Sequence, residues 1–334
     1  MRLAIINVFV FLFSILISCT STHLSPDVTQ CPIEGTILEI LTKPNLKVLD
    51  IGNSYTDDAT ELLPIIVNNS GAKLKDMVLC KLVRGSASFQ DWCNVHNDCD
   101  TKDYFFRKVI GDLSIPLPVG NGKKSDGSLF RRVLSEVEWD IIIIHQYSAF
   151  APYHELWGDN SIGGYLDTLL GIIKSYRPKA EIGFLIVHSY WDLYERNTEH
   201  SSFIRWGKIA DSVNQIQEKY NIKFIIPYGT AVENLRLSCL NNEFDLTMDG
   251  SHCGKGLCQY TAACCYYESL VYPRTGLSCL GNAARIDVSN LHTLYPTVNV
   301  TDDNAIIAQL SAVLAVKDMY HCNNPEGFLE LYVN

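Results

Sequence analysis

Three side-chain types that together perform nucleophilic catalysis occur in two short segments of this chain. Ser54 lies in the segment Gly52-Asn-Ser-Tyr-Thr56, and an aspartate and a histidine lie in Asp249-Gly-Ser-His252. A serine hydroxyl needs a neighbouring base to accept its proton, and a histidine base needs a group that orients its ring. With two residues between them, the Asp249 carboxylate can reach one ring nitrogen of His252 and leave the other facing Ser54. The spacing therefore predicts a Ser-His-Asp triad.

Each of these residues also has a purely structural interpretation. Gly-Asn-Ser segments occur in turns because of the backbone conformations that glycine and asparagine adopt. A histidine is common as a structural residue, and an aspartate is common in turns. The chemical interpretation therefore depends on whether the fold brings the two segments together.

Short β-branched runs alternate with longer helical patterns from Leu46 onward, which is typical of parallel βαβ units. The predicted strands are Val48–Ile51, Met77–Val83, Asp140–His145, Ile182–Val187 and Lys223–Pro227. The predicted helices are Asp58–Asn68, Tyr165–Tyr176, Ile204–Tyr220, Gly256–Leu270 and one near Asp303–Met319. This pattern predicts an α/β fold, a three-layer α/β/α sandwich around a central parallel five-stranded sheet.

Ser54 lies where the first predicted strand ends and a helix begins. Open α/β sheets bind their ligands at the carboxyl ends of the parallel strands. The free N–H groups at the start of a helix favour a developing negative charge. This position therefore suits a nucleophile.

Two segments fall outside the alternation of strands and helices. Residues 93–128 are polar and contain Pro116-Leu-Pro118 and Gly120-Asn-Gly122, which predicts a hairpin or flap inserted between the second and third strands. Residues 286–334 hold one helix and are expected to cover the sheet. We expect residues 46–334 to form a single domain, preceded by a signal peptide at 1–18 and a lead segment at 19–45.

The blocks around Ser54 and His252 resemble the first and last sequence blocks of the SGNH (GDSL-like) hydrolases, a superfamily of three-layer α/β/α esterases and lipases with a flavodoxin-like sheet. The resemblance covers the chain from about residue 46 to residue 280. Within the superfamily, the chain is most similar to a branch of exported bacterial lipoproteins. The further blocks, individually loose but jointly specific, are Gly85-Ser-Ala-Ser88 with Trp92, Trp139-Asp140 through Gln146-Tyr-Ser148, Trp191 with His200 and Phe203, and Gln259-Tyr-Thr-Ala-Ala263.

The resemblance implies roles for individual residues. Ser54 matches the nucleophile, with Asp249 and His252 as its partners, and the backbone N–H groups of Ser54 and Gly85 match two oxyanion-hole donors. The third donor of the family is usually an asparagine, whereas this chain has Gln146, whose carboxamide offers the same N–H on a stem one methylene longer. We expect Gln146 to donate to the oxyanion, with a bracing role in the loop as the alternative. The resemblance implies no metal and no organic cofactor.

Aromatic residues cluster after the third and fourth predicted strands, at Tyr153, Trp157, Tyr190 and Trp191. Loops at these places open at the same edge of the sheet as Ser54. Flat rings there can stack on a sugar, but large aromatic residues also pack in cores and lids. These four residues are therefore candidates for substrate binding, with core packing as the alternative.

The charge and the N-terminus bear on partners and compartment. A formal net charge of −10 without a basic stripe argues against nucleic acid as a partner. The apolar run at 4–17 is too short for a comfortable membrane span and ends in Leu16-Ile-Ser-Cys19, which resembles a bacterial lipobox. We expect an exported cell-envelope lipoprotein, periplasmic or on the cell surface, that Cys19 anchors to the membrane. A plain secretory signal is the alternative.

Together these features predict a serine esterase that removes small acyl groups, above all acetyl, from an extracellular carbohydrate. A lipid or thioester hydrolase of the same fold is one alternative. A glycan-binding lipoprotein with a degenerate site is another, although the presence of Ser54, Asp249 and His252 argues against degeneracy. The sequence leaves the oligomeric state open.

We predict that Cys19 is the lipidated first residue of the mature protein, because it closes the lipobox-like end of the apolar run. Mass spectrometry of the protein from its native host should find diacylglycerol on the Cys19 sulfur. An unmodified N-terminus further along the chain would contradict this prediction.

Overall fold

The β-branched runs form a central, mostly parallel sheet. The structure is a computed structural model and describes residues 35–242, 245–291, 293 and 295–333. The strands of the sheet are β1 (Leu46–Gly52), β2 (Met77–Val83), β3 (Tyr104–Ile110), β4 (Asn121–Gly122), β5 (Ile141–Ile144), β6 (Glu181–Leu185) and β7 (Phe224–Ile226). They lie in the order β4-β3-β2-β1-β5-β6-β7.

The five strands β2, β1, β5, β6 and β7 are parallel to one another. β5 consists of four isoleucines, all of them fully buried, as is typical of a strand covered on both faces. The chain changes its direction of winding between β1 and β5, and the crevice at such a point is where doubly wound sheets bind ligands. The segments that follow β1, β2 and β5 are therefore the ones expected to hold a site.

Helices flank this sheet. In chain order they are α1 (Gly35–Thr42), α2 (Ser54–Thr60), α3 (Leu63–Asn69), α4 (Phe89–His96), α5 (Ser128–Glu136), α6 (Leu166–Tyr176), α7 (Ser202–Tyr220), α8 (Tyr228–Arg236), α9 (Leu257–Leu270), α10 (Tyr272–Thr275), α11 (Asp302–Lys317) and α12 (Leu329–Val333). Two short strands, β8 (Lys255–Gly256) and β9 (Thr297–Val298), pair with each other. Single 3-10 turns occur at His154–Leu156 and Pro325–Phe328.

Helix α9 is the centre of one helical layer. It contacts α2, α3, α8, α10 and α11, and every one of its residues is buried. Because it is enclosed on all sides, α9 has no polar face, although it contains the buried polar residues Gln259 and Glu268. Cys258, Cys264 and Cys265 are accordingly small core residues of this helix.

The α/β fold with flanking helices and five parallel strands is confirmed, but the edge of the sheet differs from the prediction. Residues 93–128, predicted as a hairpin or flap, contribute β3 and β4, which extend the sheet as antiparallel strands beside β2. β3 pairs with an edge of β2 that would otherwise expose backbone N–H and C=O groups. The helix predicted at Asp58–Asn68 is divided into α2 and α3, because Pro64 in the first turn of α3 cannot donate a helical hydrogen bond.

The described residues belong to one compact unit. The predicted signal peptide at 1–18 and the predicted lipidation site at Cys19 lie outside the described residues, and the lead segment at 19–45 ends in α1. Among the described helices, none is both long enough and apolar enough to cross a membrane.

Candidate active site

The fold brings Ser54, Asp249 and His252 into one hydrogen-bonded chain. The Oγ atom of Ser54 lies 2.9 Å from Nε2 of His252, and Nδ1 of His252 lies 2.7 Å from Oδ2 of Asp249. All three residues are partly exposed. A serine, a base and an orienting carboxylate at these distances form the arrangement that activates a serine hydroxyl.

A tight turn holds Asp249 and His252 in register. The second oxygen of the Asp249 carboxylate accepts hydrogen bonds from the backbone N–H groups of Ser251 at 2.9 Å and of His252 at 2.8 Å. Between them, Gly250 adopts a φ of 82°, a conformation that glycine takes without steric cost. The carboxylate is therefore fixed by its own backbone before it orients the imidazole ring.

The carbonyl oxygen of Ser251 links this turn to the rest of the site. The Tyr55 hydroxyl and Nε2 of His188 both donate to it, each at 2.7 Å, and the two rings stack with centroids 4.3 Å apart. Burial, aided by the charge of Arg236, lowers the pKa of His188 to about 3, so its ring is neutral. Because Tyr55 directly follows Ser54 in α2, this contact fixes the distance between the turn and the serine.

The start of α2 is held by Asn53. Its Oδ1 atom accepts from the Tyr55 N–H at 3.0 Å, and its Nδ2 atom donates to the Ala87 carbonyl at 3.0 Å. Asn53 thereby ties the N–H of Ser54 to the loop after β2, in which Gly85 is exposed. Backbone N–H groups at a helix start and in a neighbouring loop are suited to hold a negative oxygen.

Gln146 is buried, and its carboxamide bonds to the backbone on three sides. Nε2 donates to the Gly163 carbonyl at 3.0 Å, while Oε1 accepts from the N–H groups of Tyr147 at 2.8 Å and Phe89 at 3.3 Å. These contacts join the segment after β5 to the start of α4 and to the loop before α6. Gln146 therefore braces this segment, which was the alternative to donation to the oxyanion. An amide has two N–H groups, so donation to an oxyanion from the second one stays a prediction.

A buried polar network lies beneath the turn that carries Ser54. Nε2 of His145 lies 3.0 Å from Oγ1 of Thr56, whose hydroxyl donates to Asp50 at 3.0 Å. Burial raises the pKa of Asp50 to about 6 and lowers that of His145 to about 4. A Cβ atom on Gly52 would lie 2.2 Å from Oγ1 of Thr56 and 2.3 Å from Nε2 of His145, so only glycine fits there.

Opposing effects set the protonation of the pair. Burial favours the neutral ring of His252, but the hydrogen bond to Asp249 and the charges of Asp58 and Asp249 outweigh it and raise the pKa of His252 above its usual value. Burial likewise opposes ionisation of Asp249, yet its hydrogen bonds to His252 hold the pKa of this carboxyl well below its usual range. Asp249 is therefore ionised, and His252 is a stronger base than a free histidine.

Two of the four aromatic residues that were predicted to contact a substrate belong to the core. The Trp157 ring stacks on Phe184 with centroids 6.2 Å apart, and the Tyr190 ring lies 4.1 Å from the Arg205 guanidinium. Trp157 and Tyr190 are each 2% exposed. The prediction that they contact a substrate is therefore wrong, because the protein itself covers both rings.

The other two aromatic residues are partly exposed. The Tyr153 hydroxyl donates to Glu199 at 2.9 Å. The backbone N–H of Trp191 donates to the Gly250 carbonyl at 2.9 Å, so Trp191 lies beside the turn that carries His252. Contact of Tyr153 and Trp191 with a substrate stays a prediction.

Sequence reasoning missed His188 and Asp58, although each had a usable signal. His188 is a polar residue just after β6, at the same edge of the sheet as Ser54. Asp58 follows Ser54 by four residues and therefore lies on the same face of α2. Both signals identify a neighbourhood, but only the packing of α2 and the loops shows what these residues contact.

The comparison with known proteins places the chain in a family. Residues 47–279 match the family described as Domain of unknown function (DUF4886). The chain belongs to this family. A solved DUF4886 family protein from Bacteroides uniformis ATCC 8492 is 22% identical and superposes with a TM-score of 0.66 over 84% of this chain and 97% of that one. The DUF4886 fold therefore extends over most of the chain.

A solved extracellular lipase from Streptomyces rimosus is 10% identical to the present chain. The similarity covers 71% of this chain and 95% of the lipase, with a TM-score of 0.31. That similarity is too low to support an inference. No curated protein matches the chain by sequence.

We predict that Gln146→Ala lowers the free energy of unfolding by about 3 kcal/mol, because three backbone groups, two of them in buried contacts, lose their partner. Denaturant unfolding measures this loss. Gln90→Ala is the matched control, because Gln90 bonds the same Gly163 through one partly exposed contact, and it should cost about 1 kcal/mol. Equal losses for both variants would contradict the bracing role.

Proposed function

We propose that this protein is a serine esterase of the SGNH type, in which Ser54 is the nucleophile, His252 the general base and Asp249 the group that orients the ring. The observation that carries the proposal is the chain from Ser54 Oγ through His252 to Asp249, at 2.9 and 2.7 Å. The position of Ser54 after β1, at the carboxyl edge of the parallel sheet, supports it.

Acylation begins when Nε2 of His252 takes the proton of the Ser54 hydroxyl. The serine oxygen attacks the ester carbonyl carbon, and the carbonyl oxygen becomes negative as the tetrahedral intermediate forms. The N–H groups of Ser54 and Gly85 hold this oxygen. As the intermediate collapses, His252 returns the proton to the departing alcohol oxygen, and the acyl group stays on Ser54.

Deacylation repeats these steps with water. His252 takes a proton from a water molecule, whose oxygen attacks the acyl carbon. When the second intermediate collapses, the proton returns to the Ser54 oxygen and the carboxylic acid leaves. The ionised Asp249 stabilises the imidazolium that arises in both halves of the cycle.

The substrate class we propose is a small acyl ester, above all an acetyl ester, on a carbohydrate outside the cytoplasm. The lipobox-like end at Cys19 supports an exported, membrane-anchored protein of the cell envelope. Trp191, partly exposed beside the turn of His252, supports a sugar ring as the alcohol portion of the ester.

A second candidate is an ester or thioester with a longer apolar acyl chain. It is favoured by Ile162 and Leu193, which are 85% and 77% exposed in the loops after β5 and β6. Large exposed aliphatic side chains at a sheet edge that binds ligands suit an apolar substrate. A series of esters with acyl chains of increasing length separates the two candidates, since the first predicts the highest kcat/KM for acetate.

We predict that Ser54→Ala lowers the hydrolysis of p-nitrophenyl acetate by about 10³-fold or more, because the nucleophile is removed. Ser251→Ala is the matched control, since the Ser251 hydroxyl contacts Tyr55 rather than His252, and it should retain most of the activity. Circular dichroism checks that both variants fold. Near-native turnover by folded Ser54→Ala would overturn the assignment of the nucleophile.

A further inference from the structure

A buried carboxylate lies one helical turn after Ser54 and has no part in the mechanism above. Asp58 is 7% exposed. Its Oδ1 atom accepts from Nε2 of Gln259 at 3.0 Å and lies 3.9 Å from Nζ of Lys255. Its Oδ2 atom is buried and has no hydrogen-bond partner among the described residues. Burying a carboxylate in this way lowers the free energy of unfolding unless a neighbouring charge compensates for the lost solvation.

Asp58 lies near the His252 ring, because it is on the same face of α2 as Ser54, one turn further along, and Oγ of Ser54 lies 2.9 Å from Nε2 of His252. Burial raises the pKa of Asp58 to about 6, and the charge of His252 is the largest effect that opposes this rise. In the other direction, the pKa of His252 is raised by the hydrogen bond that its ring donates to Asp249 and, in addition, by the charge of Asp58. Above a pH of about 6, two carboxylates therefore act on one imidazole ring.

Other charges near the pair do not cancel this interaction. Lys255 is the cation that competes for Asp58, and its side chain is 34% exposed, so solvent screens it. His188 is neutral because burial lowers its pKa to about 3. Other titratable groups near Asp58 and His252 in the described part of the chain include Tyr55 and Asp57 on α2, Tyr228 on α8, and Asp249 and Cys253 in the turn.

The hydrogen bond to Gln259 fixes where this carboxylate lies. Gln259 is in the first turn of α9, a few residues after His252, and Asp58 is on α2, one turn after Ser54. The two helices pack together. The Asp58–Gln259 contact therefore joins the helix that starts at the serine to the helix that follows the histidine.

We propose that Asp58 is a positioning residue of the site, a second carboxylate that stabilises the imidazolium form of His252 and holds α2 against α9. This inference rests on the proposed function, because the imidazolium arises when His252 takes the proton of Ser54. Two carboxylates then act on His252 instead of Asp249 alone. Asp249 orients the imidazole ring, and Asp58 adds a second negative charge near it.

Replacement of Asp58 distinguishes a positioning role from a purely structural one. If Asp58 only stabilised the fold, its replacement would lower the free energy of unfolding. Asp58→Asn keeps an oxygen for Gln259 and removes a buried charge, so the free energy of unfolding at pH 8 should stay level or rise. At the same pH kcat should fall about ten-fold with KM nearly unchanged, because the lost charge acts on the transition state.

The deciding measurement is a titration of the His252 ring by NMR in full-length protein with labelled histidines. In Asp58→Asn the pKa of His252 should lie lower than in the wild type. Asp57→Asn is the matched control, since Asp57 is the adjacent residue of α2, pairs with Lys81 at 2.6 Å and is 42% exposed. This variant should leave the pKa of His252 and kcat unchanged.

An unchanged pKa of His252 in Asp58→Asn, or an equal shift in Asp57→Asn, would overturn the inference. The titration needs no substrate, so its outcome does not depend on whether the protein hydrolyses esters. The proposed esterase function is contradicted by a different result, namely unaltered ester hydrolysis by the Ser54→Ala variant. If Asp58→Asn does not fold, Asp58→Ser removes the charge, keeps a hydroxyl for Gln259 and must give the same lowered pKa.

Discussion

The site depends on the packing of α2 against the buried helix α9. Ser54 is the first residue of α2, and His252 precedes α9 by a few residues, so the contact between these helices sets the distance between the hydroxyl and the ring. The chain separates the two residues by 198 positions. Their 2.9 Å contact is therefore a tertiary effect that neither segment can produce alone. The Asp58–Gln259 bond and the Ser251 carbonyl hold this arrangement from two sides.

Buried polar groups give this arrangement its rigidity. Each donor and acceptor that leaves water must find a partner in the protein or lose free energy. Tyr55, His188 and Gln146 meet this requirement through backbone groups of the loops at the carboxyl edge of the sheet. The loops are thereby held by hydrogen bonds that are costly to break. Such support is what a catalytic geometry needs, since a displacement of about 1 Å lowers the rate markedly.

The sequence predicts the parts of this structure that depend on local patterns. The five parallel strands follow from β-branched runs, and the contact of His252 with Asp249 follows from a spacing of three residues. Other features depend on contacts that no local pattern encodes. The strand at Tyr104–Ile110 lies in a segment whose other residues are largely polar, and no local pattern shows that this strand pairs with β2. Trp157 and Tyr190 were wrongly assigned to the substrate side, because an aromatic residue near a strand end suits a core and a binding surface equally well.

In the proposed mechanism Ser54 is a nucleophile that His252 activates. The most direct measurement is reaction of the full-length protein with a fluorophosphonate, followed by mass spectrometry of its peptides. We predict one adduct, on Ser54, that forms far more slowly when His252 is replaced by alanine, because the hydroxyl then lacks its base. Absence of an adduct, an adduct on another serine, or labelling of Ser54 at an undiminished rate without His252 would contradict it.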